Sequence, residues 1–172
     1  MTGAPASPSH PHLDVLAGEL VAVRTGLVDA LEGIPELWLA RMLAGPVDGS
    51  ADGPARAGWT VQHEAAHHAA DDAVLIALLE HAARGVEAWS AAEARRLRGE
   101  AMHRVQRVRL APLRAHLAES GERAHAALLA HAAHLDRPFA LGEAATLPVA
   151  EVLRTQAARA RAGLEAVRAT FR

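Results

Sequence analysis

His63-Glu64-Ala65-Ala66-His67 sets two imidazoles four residues apart with a carboxylate beside the first. On a helix of ~3.6 residues per turn, that spacing brings both rings to one face. There they could grip a zinc ion while Glu64 acts as general base, the chemistry of HExxH peptidases. Such a hydrolase also needs a third ligand downstream, for which Glu80, Glu87 and Glu93 are formally available, and an open cleft, usually with a strand beside the helix. The sequence carries no strand signal. In a chain with 11 histidines the pentapeptide also arises by chance, so the zinc hydrolase ranks last of three readings.

The residues around the motif suggest another use. At ~100° per residue, His63, His67, Asp71, Val74 and Leu78 fall within about 40° of one line. His67 then borders the helix's apolar face, either as a metal ligand or as an imidazole bonded to a carboxylate or carbonyl. His131 and His134, three apart on a later helix, could join it in a relocated site, though such residues in an alanine-rich helix are more often surface or interface positions. Trp59 and Trp89 read as packing anchors rather than ligand platforms. The arginine runs at Arg95-Arg96 and from Arg104 to Arg109 are interleaved with other residues and read as a solvated face.

These residues must be positioned by helices. Hydrophobic residues make up 51% of the 172, yet there are only three Trp, two Phe and no Tyr. The core is therefore aliphatic and the class all-α. Four amphipathic stretches emerge. The first, from about Leu13 to Leu31, carries Leu13, Leu16, Leu20, Val23, Leu27 and Leu31. The second opens near Thr60, an N-cap with His63 where a capping box prefers Glu, and stops at Gly85. The third covers roughly Ala111 to Leu135, with Leu113, Leu117, Ala124, Leu128 and Leu135 on one side, before Asp136-Arg137-Pro138. The fourth follows Thr146-Leu147-Pro148, with Thr146 as cap, and carries Val149, Leu153, Gln156, Ala160, Leu164, Val167 and Phe171. Four such helices imply a four-helix bundle. The long charged connection between helices two and three, helical in part, could cross the bundle and leave those helices parallel. Residues 1–12 read as a disordered tail before a bundle over 13–172, and 45–58 as a mobile Gly/Pro/Asp-rich loop.

The net charge of −2, with both signs interspersed, gives no footprint for nucleic acid. Absence of cysteine excludes disulfides and cysteine nucleophiles, so thiol chemistry would need an external thiol. The first dozen residues lack the features of a signal peptide, and no apolar run approaches a membrane span. A cytoplasmic location follows as the expectation. The Ala/Arg/Leu-rich composition suggests a GC-rich bacterial genome.

Taken in order, several segments resemble the DinB-like superfamily, which includes YfiT-type proteins and the N-terminal domain of mycothiol-dependent maleylpyruvate isomerase. They are the long opening helix, Gly58-Trp59-Thr60-Val61 followed by His67 and Asp71-Asp72, then Glu87-Ala88-Trp89-Ser90, and the closing segment LPVAEVLRTQAARARAGLEAV. The resemblance implies a four-helix bundle of DinB/YfiT-like type, often homodimeric. It also implies a divalent metal such as Zn or Ni, held by the helix-two histidine and by two donors on the last helix, and metal-dependent chemistry on low-molecular-weight thiols. The histidine corresponds to His67. The last-helix positions correspond to Thr155 and Arg159, and the segment from Ala145 to Arg172 has no histidine.

Arg159 changes the expectation. A guanidinium is always charged and has no lone pair for a metal. Beside a cation in a poorly solvated place it would add repulsion. Arg159 is expected instead to pair with Asp71 or Glu64 and so replace the metal as the cross-link between helices, with capture of a small anionic ligand as its other use. The first reading is accordingly a DinB-like protein with a degenerate metal site and no bound cofactor, acting as a non-catalytic binding or scaffolding homodimer. The second is a thiol-transferase-like enzyme with a metal on His67, joined by His63, His131 or His134.

Overall fold

A computed structural model describes residues 13–43, 58–142 and 145–172. The expected tail, and all of the expected loop except Gly58, lie outside them. Five α-helices occur among the described residues: α1 Leu13–Ala30, α2 Val61–Ala83, α3 Ala91–Val105, α4 Leu110–Ala130 and α5 Val149–Thr170. Short 3₁₀ helices cover Glu36–Ala40 and Ala132–His134. Three strands, β1 Ala88–Trp89, β2 Pro138–Leu141 and β3 Leu147–Pro148, form a small sheet in that order. β1 runs parallel to β2, with Ala88 opposite Ala140, and β2 antiparallel to β3, with Phe139 opposite Leu147.

The four expected helices are present, and the chain departs from expectation between them. The charged connection forms a complete helix, α3, because Ser90 caps it and accepts from the Glu93 N–H at 3.1 Å. Its Ala94, Ala101 and Val105 are buried and it packs against α2, while the arginines at 95 and 96 face solvent. The expectation of no strands is corrected too. Two-residue and four-residue strands are too short to show alternation.

Two boundaries move. The third expected helix ends at Ala130, and a 3₁₀ turn carries the chain on to the buried Leu135. At the start of α5 the N-cap is Pro148, not Thr146, and no side chain caps. The free N–H groups there need other acceptors. Val149 donates to the Arg137 carbonyl and Ala150 to the Leu135 carbonyl, both at 2.9 Å, so the preceding segment caps the helix with its backbone. Thr60 does cap α2. Its hydroxyl accepts from the His63 N–H at 3.3 Å, and the His63 ring accepts from the Thr60 N–H at 3.3 Å, so an imidazole closes the capping box.

Helix α1 packs on α4 and α5, and α2 on α3, α4 and α5. Gln62 donates to the Val108 carbonyl near the start of α4, and Asp72 meets Ser120 farther along, so α2 and α4 run the same way. The apolar stripes are inside as read: Leu27, Leu31, Leu78, Leu113 and Val167 are fully buried. Each leucine of this kind stabilises the fold by about 1.5–3 kcal/mol.

The apolar core is divided in two. One cluster includes Leu16, Leu20, Val74, Leu78, Leu128 and Leu153. The other includes Leu27, Leu31, Ala65, Leu117, Leu164 and Val167. On each helix polar or small residues lie between the clusters: Arg24 on α1, beside the buried Val23, Asp71 and Asp72 on α2, Ser120 and Gly121 on α4, Gln156 and Ala160 on α5. A polar layer crosses the middle of the molecule.

Glycines make room for it. A Cβ on Gly121 would come within 3.1 Å of the Arg24 Cγ, and a Cβ on Gly163 would overlap the Glu64 carboxylate and stand 3.1 Å from His68 Nε2. Gly18, also mid-helix, has no such neighbour within 4 Å. Gly163→Ala should therefore lower stability by about 1–3 kcal/mol through overpacking, despite alanine's better helix propensity. Gly18→Ala should raise stability by roughly 0.5–1 kcal/mol. Urea denaturation of both variants checks this, and a Gly163→Ala protein as stable as its parent would contradict the close approach of α2 and α5.

Candidate functional site

Arg24 is the centre of the polar layer. Only 7% of its surface is exposed. Its Nε donates to Asp72 Oδ1 at 2.7 Å and its Nη2 lies 2.5 Å from the same oxygen. Ser120 Oγ donates to Asp72 Oδ2 at 2.8 Å. Arg24 Nη1 stands 2.6 Å from His68 Nδ1, which must present its lone pair because a guanidinium can only donate. The ring proton is then on Nε2, which faces Glu64 Oε1 at 3.4 Å. One cation thus joins α1 to α2, helices that share little direct packing, and α4 closes on the same carboxylate.

Burying a charge is unfavourable unless it is paired and hydrogen-bonded. Here both carboxylate oxygens of Asp72 have donors and three nitrogens of Arg24 have acceptors. Burial lowers the His68 pKa. The nearby Glu64 carboxylate opposes that shift only in part, and the Arg24 charge adds to it.

A second group lies one residue away on α2. His67 Nδ1 is 3.2 Å from Asp71 Oδ2, and Arg98 of α3 donates from Nε to Asp71 Oδ1 at 3.1 Å. The Trp59 ring covers His67, with centroids 5.2 Å apart. Burial alone would raise the Asp71 pKa. The charge and hydrogen bond of His67, then the charges of Arg98 and Arg24, outweigh burial and hold it well below the usual carboxylate range.

The sequence-predicted site residues divide between these groups and the surface. Asp71, Glu64, His67 and Trp59 stand on or against the inner side of α2. The guanidiniums seated on the two aspartates are those of Arg24 and Arg98, from α1 and α3. Arg159 is half-buried on α5. Thr155 is exposed, and its hydroxyl donates to the Glu151 carbonyl at 3.1 Å, the local bond open to any mid-helix threonine.

His63 is exposed and engaged in capping, whereas Glu64 is fully buried against His68 and α5. The HExxH pentapeptide therefore splits over different surroundings. Its would-be general base has no open cleft, as the hydrolase requires. His131 and His134 lie with their rings tilted and 6.2 Å apart after the end of α4, at its C-cap and in the 3₁₀ turn rather than on a helical face.

The metal implied by the resemblance can be tested against these residues. It needs three convergent donors. Among the described residues no three His, Cys, Asp or Glu side chains converge in that way. At the last-helix positions stand a hydroxyl bonded to its own backbone and a guanidinium. The residues do not fit the ion.

Sequence reasoning missed Arg24, His68, Ser120 and Arg98, and named Asp72 only within the acidic pair of the resemblance, with no role of its own. A signal for Arg24 existed, since Leu20, Arg24, Leu27 and Leu31 share one helical face. Mid-helix glycines at 121 and 163 were another, because glycine there costs about 1 kcal/mol relative to alanine and implies a close approach.

No family model matches the chain, and no curated protein matches its sequence. The fold does match solved structures. They are the crystal structures of the mycothiol-dependent maleylpyruvate isomerase and of a histidine-to-alanine mutant of it. Each superposes with a TM-score of 0.68 at 16% identity, over 90% of this chain and 60% of the isomerase chain. This chain therefore spans about 60% of the isomerase's length, and the likeness is one of fold.

The polar layer has a pH signature. Asp71 binds its proton less readily folded than unfolded, so its contribution is complete above the ordinary aspartate range, near pH 4, and is lost as pH falls below it. His68 also binds its proton less readily folded, so acidification through the ordinary histidine range, near pH 6.5, destabilises the fold. Stability from urea melts should decline on both steps. Asp71→Asn should flatten the step below pH 4 and leave the histidine step in place. An unchanged acid limb in Asp71→Asn would contradict this assignment.

Proposed function

We propose that the chain is a DinB-like four-helix bundle of α1, α2, α4 and α5 whose metal site is degenerate, and that it acts as a non-catalytic binding or scaffolding protein. The long connection from α2 to α4, with α3 laid along α2, belongs to this reading. So do a homodimeric assembly and a cytoplasmic, bacterial setting. The observation that carries it is the engagement of α2's polar side chains by Arg24, Arg98 and Ser120, where a metal protein needs donors left for an ion. The placement of Arg159 and Thr155 on α5, with no histidine in that helix, supports it further.

One observation favours a second reading. His67 has its Nδ1 held by Asp71, the carboxylate–imidazole arrangement that commonly orients a histidine metal ligand. On that reading the chain is a metal-dependent thiol-transferase-like enzyme with His67 as a ligand. It requires two further donors to move toward His67.

Metal analysis of untagged protein purified from metal-replete cells separates the two. The proposal expects far less than one metal ion per chain and no rise in melting temperature on adding Zn²⁺ or Ni²⁺. A bound ion at a hundredfold excess over its Kd would stabilise the native state by about 2.7 kcal/mol. Stoichiometric metal that is lost in His67→Ala would establish the enzyme reading instead.

A further inference from the structure

Helix α3 is held differently from the other four. Each of those packs on at least two other helices, whereas α3 has substantial packing against α2 only. Three of its 15 residues are buried, and they are two alanines and a valine: Ala94, Ala101 and Val105. Side chains this small gain little from leaving water, because burial stabilises in proportion to apolar area. Among the described residues a single side-chain hydrogen bond joins α3 to another helix, from Arg98 Nε to Asp71 Oδ1 at 3.1 Å.

The helix is also weak in itself. Gly99 stands exposed in its middle, with nothing within 4 Å of where a Cβ would be, so no close approach explains it. Glycine there lowers helix stability relative to alanine. Arg95, Arg96, Arg98 and Arg104 crowd one sign of charge along the helix, relieved by an exposed ion pair from Arg96 to Glu100 at 2.8 Å. Its ends, by contrast, are pinned. Before it, Trp89 is buried and β1 pairs with β2, the Gly142 N–H donating to the Trp89 carbonyl at 2.8 Å. Beyond it, the Val108 carbonyl accepts from Gln62 at 2.8 Å. A segment fixed at both ends and loose between them opens locally, at less cost than unfolding the molecule.

Under the middle of α3 lies Asp71, which holds His67. One Asp71 oxygen faces His67 Nδ1 at 3.2 Å and the other takes Arg98, while Trp59 covers the His67 ring. Neither residue takes part in the Arg24–Asp72–Ser120 cross-link, so both can be uncovered while α1, α2 and α4 stay tied. We propose that α3 is a gate: it releases Asp71 and unwinds between its pinned ends, and this opening is the way a ligand or ion reaches His67. The gate goes beyond the two readings above and holds for either, since it concerns access to His67 and not what binds there.

Hydrogen exchange of the intact chain, read by mass spectrometry, tests it. Protection of the α3 amides should be at least about tenfold lower than that of α2 and α4. Arg98→Met should speed α3 exchange roughly fivefold and leave α4 unchanged, as loss of one partly exposed charged hydrogen bond implies. Gly99→Ala, which meets no neighbour, should slow α3 exchange by about the same factor. Diethyl pyrocarbonate should modify His67 faster in Arg98→Met and more slowly in Gly99→Ala. His68, enclosed by Arg24 and Glu64, is the internal control and should not change. Gly99→Ala keeps the test decisive if the Arg98→Met protein does not fold. Exchange of α3 in step with α4, variants that shift all helices equally, or one rate of His67 modification in all three proteins would overturn the inference. Metal content is measured separately, so the gate stands or falls on exchange and labelling whatever that measurement finds.

Discussion

The fold turns on one buried ion pair. Arg24 crosses from α1 to Asp72 on α2 through a region that apolar side chains would otherwise fill. Removing a guanidinium and a carboxylate from water carries a large penalty, offset only by good geometry and complete hydrogen bonding. The surroundings are arranged to that end. Ser120 completes the carboxylate, His68 accepts from the guanidinium in its neutral form, and Gly121 leaves space for the arginine stem. Such a pair is weak evidence for extra stability. Its consequence is specificity, because α1, α2 and α4 can pack in only one register if those donors and acceptors are to meet.

The polar layer also accounts for the shape of the core. Apolar clusters above and below it are each continuous with the stripes of four helices, and the layer fixes their relative heights. Between α2 and α5 the Glu64 carboxylate and the His68 ring come up against the bare backbone at Gly163. The cross-links to α1, α3 and α4 are side chains throughout.

The parts of the molecule that depend on periodicity were legible in the sequence. The stripe from Leu16 to Leu31, the Thr60 start of α2, and the face from Val149 to Val167 all follow from ~3.6-residue spacing and turn chemistry. The parts set by contacts between distant segments were not. The start of α5 is capped by carbonyls of residues 135 and 137, which no local pattern marks. The strands are too short to alternate. The histidine-rich stretch misled by composition: His63 serves a cap and Glu64 faces α5, so a motif defined by sequence spacing is divided by the burial of its members. Of the candidate site, His67, Asp71 and Glu64 were read as inward-facing or paired. The guanidinium on Asp71 is that of Arg98 from α3, and on Asp72 sits Arg24 of α1, a residue easily missed because a lone arginine in an apolar stripe is taken for a surface residue.

The central claim is that Arg24 and Asp72 act as one cross-link. A double-mutant cycle on unfolding free energy tests it most directly, using Arg24→Met, Asp72→Asn and the double variant. Each single change leaves a buried charge uncompensated and should cost about 3–5 kcal/mol. The double variant should cost well below the sum, with a coupling energy of at least about 1–3 kcal/mol. Additive effects, or single variants each within about 0.5 kcal/mol of the parent, would show that the pair does not hold the helices together.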